Sequence, residues 1–249
     1  MRRLWCLLAA SPGGCTFDYG ALEGSASAPD DYQAYAEVVD DCASAWRHVF
    51  GATFDDPDEN LNDLWDLPES VNWRIDEGHL AVAMPKFGGD YWTTHIVARD
   101  LAVENLWMRV DVEVHVDRYT QLQARVDPEQ PSARFYAMRT RGDLGGIGLH
   151  RQIEAADAPN ADQEVYYTPT LQEGTFYRHV FTARTRQAGN VEVTGGIYAI
   201  PEDDPPTLHQ SVVGTTYGDD EAIGAGSIGL SGWQNELRFD NVQVFSCDR

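Results

Sequence analysis

The stretch Leu106-Trp-Met-Arg-Val-Asp-Val-Glu-Val-His-Val116 decides the fold. Val110, Val112, Val114 and Val116 fall on one side of an extended chain, and Arg109, Asp111, Glu113 and His115 on the other. Successive side chains of a strand point to opposite faces, so this period of two predicts a β-strand with one buried and one polar face. The same period runs outward in both directions. Trp73–Met84 reads as two strands joined at Asp76-Glu77-Gly78, and Gln121–Val126 sets polar residues at 121, 123 and 125. Further strands are expected at Arg134–Arg139, Gly146–Arg151, Glu164–Thr168, Phe176–Arg186, Val191–Ile200, Gly226–Leu230 and Arg238–Phe245. Turn-forming clusters such as Asp127-Pro128 and Glu202-Asp-Asp-Pro-Pro206 separate them. About a dozen strands with no sustained helical period predict an all-β fold, a sandwich of two antiparallel sheets.

Composition narrows the partners. The 249 residues are 43% apolar, enough for a buried core, and 40 acidic against 18 basic residues give a net charge of −22. Such a charge repels phosphate, so nucleic acid and anionic lipid head groups are excluded as partners. The N-terminus has the outline of an export signal: Arg2-Arg3, the apolar run Leu4–Ala10, then small residues up to Cys15. Residues 1–15 are therefore expected to direct export. Three outcomes stay open: lipid attachment at Cys15, cleavage and secretion, or an uncleaved start. Membrane attachment is expected only through such a lipid, because no later run reaches the ~20 apolar residues a spanning helix needs. Residues 16–45 hold seven acids and no base with interspersed Gly, Ser and Pro, and read as an acidic tether with one short helix near Tyr32–Asp40. The β-domain is expected over 46–249. Cys42 and Cys247 flank it, and a sandwich brings its terminal strands together, so the two are expected to pair in an oxidising compartment. Closing so long a loop is worth about 5 kcal/mol on the chain-entropy account.

The closing stretch Gly226-Ser-Ile-Gly-Leu230, followed by Phe239-Asp-Asn-Val-Gln-Val244, resembles the last strands of concanavalin A-like lectin/glucanase domains. Phe54-Asp-Asp56, Trp65 and Trp73 agree with the opening of that superfamily. The resemblance covers roughly residues 46–249 and implies an antiparallel jelly-roll sandwich, a fold that hosts enzymes, lectins and interaction modules alike. It also implies an oxygen-ligated structural calcium, for which Asp55, Asp56 and Asp240 are the candidates, while no cofactor is required.

Carbohydrate sites use carboxylates, planar amides and aromatic rings, which hydrogen-bond hydroxyls and stack on sugar faces. Asp111, Glu113 and His115 on one strand face are the first candidates, and Gln121, Gln123, Arg125 and Tyr136 are expected beside them, with Trp92, Tyr91 and Trp233 as stacking platforms. Trp65 and Trp73 are expected in the core. Carboxylates at alternate strand positions lie ~6.5–7 Å apart, a separation compatible with glycosidic acid–base chemistry. The related glucanases carry Glu-x-Asp-x-x-Glu on a central strand; here Asp111-x-Glu113-x-His115-x-Asp117 is followed by Arg118 where the last glutamate would stand. That departure favours binding over catalysis. No Gly-x-Ser-x-Gly elbow or His-Glu-x-x-His pair is present, and the glycine-rich Gly142–Gly148 precedes no helix. The leading expectation is an exported sandwich that binds carbohydrate or another extracellular or cell-surface ligand without catalysis. A glycan-active hydrolase or lyase, and a structural or partner-binding module, remain as alternatives.

Overall fold

The computed structural model describes residues 35, 38, 39, 46–58, 60–67, 72–83, 95–114, 119–130, 134–141, 146–153, 163–166, 171–186, 189–200, 207–208, 213–218, 222–233 and 236–247. Among the described residues there are sixteen strands and one short helix. They are β1 (Arg47–Ala52), α1 (Leu61–Leu64), β2 (Trp65–Asp66), β3 (Asn72–Asp76), β4 (His79–Ala83), β5 (Ile96–Ala98), β6 (Leu106–Val114), β7 (Tyr119–Val126) and β8 (Phe135–Arg141). The remainder are β9 (Gly146–Gln152), β10 (Gln163–Tyr166), β11 (Thr175–Thr185), β12 (Val191–Ala199), β13 (Thr207–Leu208), β14 (Val213–Tyr217), β15 (Ser227–Trp233) and β16 (Glu236–Ser246).

The strands form two antiparallel sheets. The nine-stranded sheet runs β13-β12-β11-β6-β16-β4-β3, with β1 beside β16 and β14 beside β12; the seven-stranded sheet runs β10-β9-β8-β7-β15-β5-β2. Each expected strand is present with bounds shifted by a few residues, as at β10, where Gln163–Tyr166 replaces the expected 164–168. The turn between β3 and β4 falls at Glu77 and Gly78, both left-handed with φ of 53° and 81°, as a tight two-residue hairpin requires.

The period of two sorts the side chains. Leu106, Met108, Val110, Val112 and Val114 of β6 enter one core with Leu122 and Ala124 of β7, Tyr136 and Met138 of β8, and Phe181 of β11. The two sheets meet closely there: a Cβ on Gly195 of β12 would lie 2.8 Å from Met138 Sδ on β8. Trp65 and Trp73 are buried in this core, as expected.

A second apolar cluster lies on the other face of the nine-stranded sheet. Trp107 and Phe245 stack with centroids 4.1 Å apart, and Tyr35, Val38, Val39 and Trp46 join them with Val180 and Tyr198. The expectation of a tether up to residue 45 is corrected in part, because Tyr35, Val38 and Val39 are buried. Their spacing places them on one side of a turn in which the N–H groups of Val38 and Val39 both donate to the Tyr35 carbonyl.

On β7 the strand bulges at Arg125, whose φ is +54°, and the pairing with β15 shifts between Ser227 and Ile228. Gly226 permits this, since a Cβ there would meet Val126 O at 2.6 Å and Arg125 C at 2.7 Å, both backbone atoms. Replacing Gly226 with Ala should therefore destabilise the fold by about 2 kcal/mol, read as a lowered urea midpoint at pH 7; an unchanged midpoint would show that the bulge needs no glycine.

Candidate functional site

Beyond the shared core, each sheet turns a second face outward, and the two faces carry different chemistry. On the nine-stranded sheet, Asp111 stands opposite Arg178 of β11 and Asp240 of β16. Arg178 grips it as a fork, Nε donating to Oδ1 and Nη2 to Oδ2, each at 2.7 Å. Asn241 Nδ2 donates to the same Oδ2 at 3.1 Å, and Arg178 Nη1 donates to the Tyr35 hydroxyl at 3.0 Å. Burial works against the Arg178 charge, but hydrogen bonding and charge from Asp111 outweigh it and raise its pKa above the ordinary value. Glu113 faces Arg238 at 3.7 Å, a guanidinium shared with Asp76 and Glu77. Both carboxylates expected to meet a ligand thus meet arginines of their own sheet, and the Tyr35 segment lies against Arg178.

Asp240 is half-buried, within electrostatic reach of Asp111 and Asp55. Burial raises its pKa, its Oδ1 accepts the Asn241 N–H at 2.7 Å, and its Oδ2 lies 3.6 Å from His79 Nδ1. Asp56 Oδ1 accepts the Asp58 N–H within its own turn. Among the described residues no group of three or more His, Cys, Asp or Glu side chains is arranged to hold a metal ion. His115, Trp92, Tyr91, Cys15 and Cys42 lie outside the described residues, and the side chain of Trp233 does as well.

The expectation that Gln121, Gln123, Arg125 and Tyr136 adjoin Asp111 is corrected by the topology, because β6 and β7 belong to different sheets. Arg125 and Tyr136 turn inward. At the bulge Arg125 donates from Nη1 to the Ile223 carbonyl and from Nη2 to Thr185 Oγ1, each at 2.9 Å, which ties the two sheets together. Tyr136 is buried with its hydroxyl accepting the Ile223 N–H, and burial raises its pKa. Both are parts of the packing.

Gln121 and Gln123 remain, on the outer face of the seven-stranded sheet, and they do not stand alone. Gln121 Nε2 donates to His150 Nε2 at 2.8 Å, and Gln121 Oε1 accepts from Ser231 Oγ at 2.8 Å. His95 Nδ1 lies 2.7 Å from Gln123 Nε2 and 3.0 Å from Gln123 Oε1, so the amide pairs with either tautomer of that ring, and Gln123 Nε2 donates to Gln121 Oε1 at 3.4 Å. The result is a continuous row over four strands: His150 on β9, Gln121 and Gln123 on β7, Ser231 on β15, and His95 at the head of β5. Two small residues make it fit. Ala137 stands between Gln123 and His150 in register, and Gly229 lies under Gln123, where a Cβ would come within 2.5 Å of Oε1. At the end of the row near Gln121, Tyr119 and Arg139 are half-buried, with the guanidinium 5.5 Å from the ring centroid.

Burial keeps these imidazoles neutral. Desolvation pushes His95 down to about 4 against the Gln123 hydrogen bond, and pushes His150 down to about 3 with help from the Arg139 charge. His179 on β11 is likewise pushed down to about 4 by burial.

No family model matches the chain, and no curated protein matches it. Several solved structures are similar. The carbohydrate-binding module CBM66 from Bacillus subtilis is 13% identical over 83% of this chain and 98% of that one, with a TM-score of 0.46. A β-1,3-1,4-glucanase (lichenase) derived from a mouse hindgut metagenome is 14% identical over 81% and 99%, at 0.48. The PL-14 alginate lyase from Aplysia kurodai is 7% identical over 80% and 99%, at 0.51. At such identities the likeness concerns the fold alone. With the two-sheet topology, it makes this chain an all-β, concanavalin A-like jelly-roll sandwich.

The buried imidazoles make the fold acid-sensitive. In the unfolded chain they titrate near 6.5, whereas in the fold His95, His150 and His179 stay neutral down to about 4 or 3. Below pH 6.5 the unfolded state therefore binds more protons, so stability is complete above that pH and declines as pH falls toward 4. For His95 the 2.5-unit gap between 6.5 and about 4 amounts to about 3 kcal/mol at pH 4. Urea midpoints measured from pH 7.5 to 4.5 should fall steeply below pH 6, and less steeply in His95→Gln; a flat profile would contradict neutral burial.

Proposed function

We propose that this protein binds carbohydrate without turning it over, on the outer face of the seven-stranded sheet around Tyr119 and Arg139, which the buried Gln121 supports from beneath. One observation carries the reading. The described side chains on the outer face of β7, β8, β9 and β15 include amides, imidazole, hydroxyl, an aromatic ring and a guanidinium, and among them there is no carboxylate. Amides, ring faces and guanidinium are the groups that hydrogen-bond and stack on sugars. Glycosidic cleavage by the common route needs a pair of carboxylates, and a glutamine amide cannot shuttle a proton. The opposite sheet supports the reading from the other side, since its carboxylates Asp111 and Glu113 already face Arg178 and Arg238. The similar structures bear names of a carbohydrate-binding module and of glucan- and alginate-cleaving enzymes, which sets the ligands to try first.

The test is a glycan array with the full chain, followed by titration of whichever oligosaccharide binds. Tyr119→Ala and Arg139→Ala should each weaken binding about tenfold, the scale of one lost stacking or charged contact, and Glu113→Gln should leave it unchanged. The reverse pattern would move the site to the nine-stranded sheet. Release of new reducing ends or unsaturated products would replace binding with catalysis.

We further propose that the chain is exported and that Cys42 pairs with Cys247. Cys247 is disulfide-bonded, and disulfides persist in oxidising compartments. It packs against the cluster holding Val39 and Trp46, the described residues on either side of Cys42 in sequence. A non-reducing peptide map should recover residues around 42 and 247 as one species. Finding Cys247 joined to Cys6 or Cys15 would refute the pairing.

A further inference from the structure

The segment that precedes β1 is held to the sandwich by its side chains alone. The N–H groups of Val38 and Val39 donate to the Tyr35 carbonyl within the segment, and among the described residues no backbone hydrogen bond joins Tyr35, Val38 or Val39 to a strand. All three are nonetheless buried. The seat they occupy is built by the nine-stranded sheet. Trp107 of β6 lies parallel on Phe245 of β16, and the Tyr35 ring sits 5.9 Å from Trp107 and 5.0 Å from Tyr198 of β12, at a right angle to the latter. At the polar end Arg178 of β11 is fixed by its fork on Asp111, and its Nη1 donates to the Tyr35 hydroxyl at 3.0 Å. Each of these four strands is paired on both sides, so the seat does not need the segment in order to form. Charge fits as well. Arg109 lies against Phe245 and Arg184 against Trp46, while residues 16–45 carry seven acids and no base, Glu37, Asp40 and Asp41 among them.

We propose that this seat is a peptide-docking site, filled by the chain's own Tyr35-x-x-Val38-Val39 and open to the same segment of a second copy. A segment docked by side chains alone leaves without breaking a β-ladder, and what fits one chain fits its neighbour identically. Residues 40–45 join Val39 to the docked Trp46. Extended, such a linker spans about 20 Å, enough for the segment to turn from its own sheet into another. Exchange is then reciprocal: each copy fills the other's seat, and the pair closes as a twofold dimer. Two features set the specificity. The ring has to fit between Trp107 and Tyr198, and its hydroxyl has to meet Arg178 Nη1, which a phenylalanine would leave without that acceptor. Cys247, which is disulfide-bonded, packs against the same cluster. With Cys42 as its partner, the bond falls in the linker and locks in whichever copy supplied the segment. Two thiols of an added reductant, oxidised to their own disulfide, release both cysteines as thiols and free the linker. The seat itself does not depend on that pairing, nor on the ligand face of the other sheet.

A synthetic peptide of residues 30–41 tests the seat, titrated by calorimetry into the full chain carrying Tyr35→Ala and Val39→Ser, which empties it. Binding should saturate at one peptide per chain and be about tenfold weaker for the same peptide with Tyr35→Phe. The oxidised wild type, whose seat is filled, should not bind it. Failure to bind a variant that keeps the native circular dichroism, equal binding of the two peptides, or equal binding to the wild type overturns the site. The second copy is tested without any variant, so the outcome stands even where the double substitution prevents folding. Light scattering of the wild-type chain reduced with dithiothreitol should show monomer passing to dimer as protein concentration rises, and excess peptide should return the dimer to monomer. A monomer at every concentration, or a dimer that the peptide leaves intact, overturns the exchange.

Discussion

The packing of β6 across the gap between the sheets is the constraint on which the rest of the structure depends. Leu106, Met108, Val110, Val112 and Val114 bury one side of that strand against the seven-stranded sheet. Because side chains alternate, fixing those five fixes Trp107, Arg109, Asp111 and Glu113 on the opposite side. A slip of one residue would drive Asp111 into the core and expose a valine row. The aromatic stack of Trp107 on Phe245, the fork of Arg178 on Asp111 and the docking of Tyr35 all follow from that register.

The two outer faces then diverge through burial. On the nine-stranded sheet, charges are matched by charges: Asp111 with Arg178, Glu113 with Arg238, Asp240 near His79. Breaking such a half-buried pair is costly because one charge is left without a partner, which suits a structural role. On the seven-stranded sheet, burial has selected neutral polar groups. Amides and neutral imidazoles can be buried once hydrogen-bonded, and their donors and acceptors can be permuted without moving a charge through a low-dielectric region. One face is held by ion pairs, the other by a hydrogen-bonded row that ends at Tyr119 and Arg139.

Much of the fold is written in the period of two. The valine alternation from Leu106, the Asp76-Glu77-Gly78 turn and the closing Phe239–Val244 strand were legible because local pattern and tertiary role coincide in them. The short strands Arg47–Ala52, Trp65–Asp66 and Ile96–Ala98 were not, since two to six residues carry too little pattern to separate from loop. The site was legible only in part. Gln121 and Gln123 stood out as alternating polar residues, but their neighbours could not be read from spacing, because strands consecutive in sequence lie in different sheets where β6 gives way to β7. His95 and His150 gave no local signal; β5, β9 and the small residues Ala137 and Gly229 bring them to the glutamines. Arg125 misled for a related reason. The bulge at that residue breaks the alternation and turns inward a side chain that strict alternation would leave facing out.

The central claim is that the ligand face belongs to the seven-stranded sheet. Amide-resolved hydrogen exchange, with and without an oligosaccharide that binds, tests it most directly. The account predicts slowed exchange in the loop-proximal residues of β7, β8 and β9 around Tyr119 and Arg139, with β6, β11 and β16 unaffected. Protection centred instead on Asp111, Arg178 and Asp240 would contradict it.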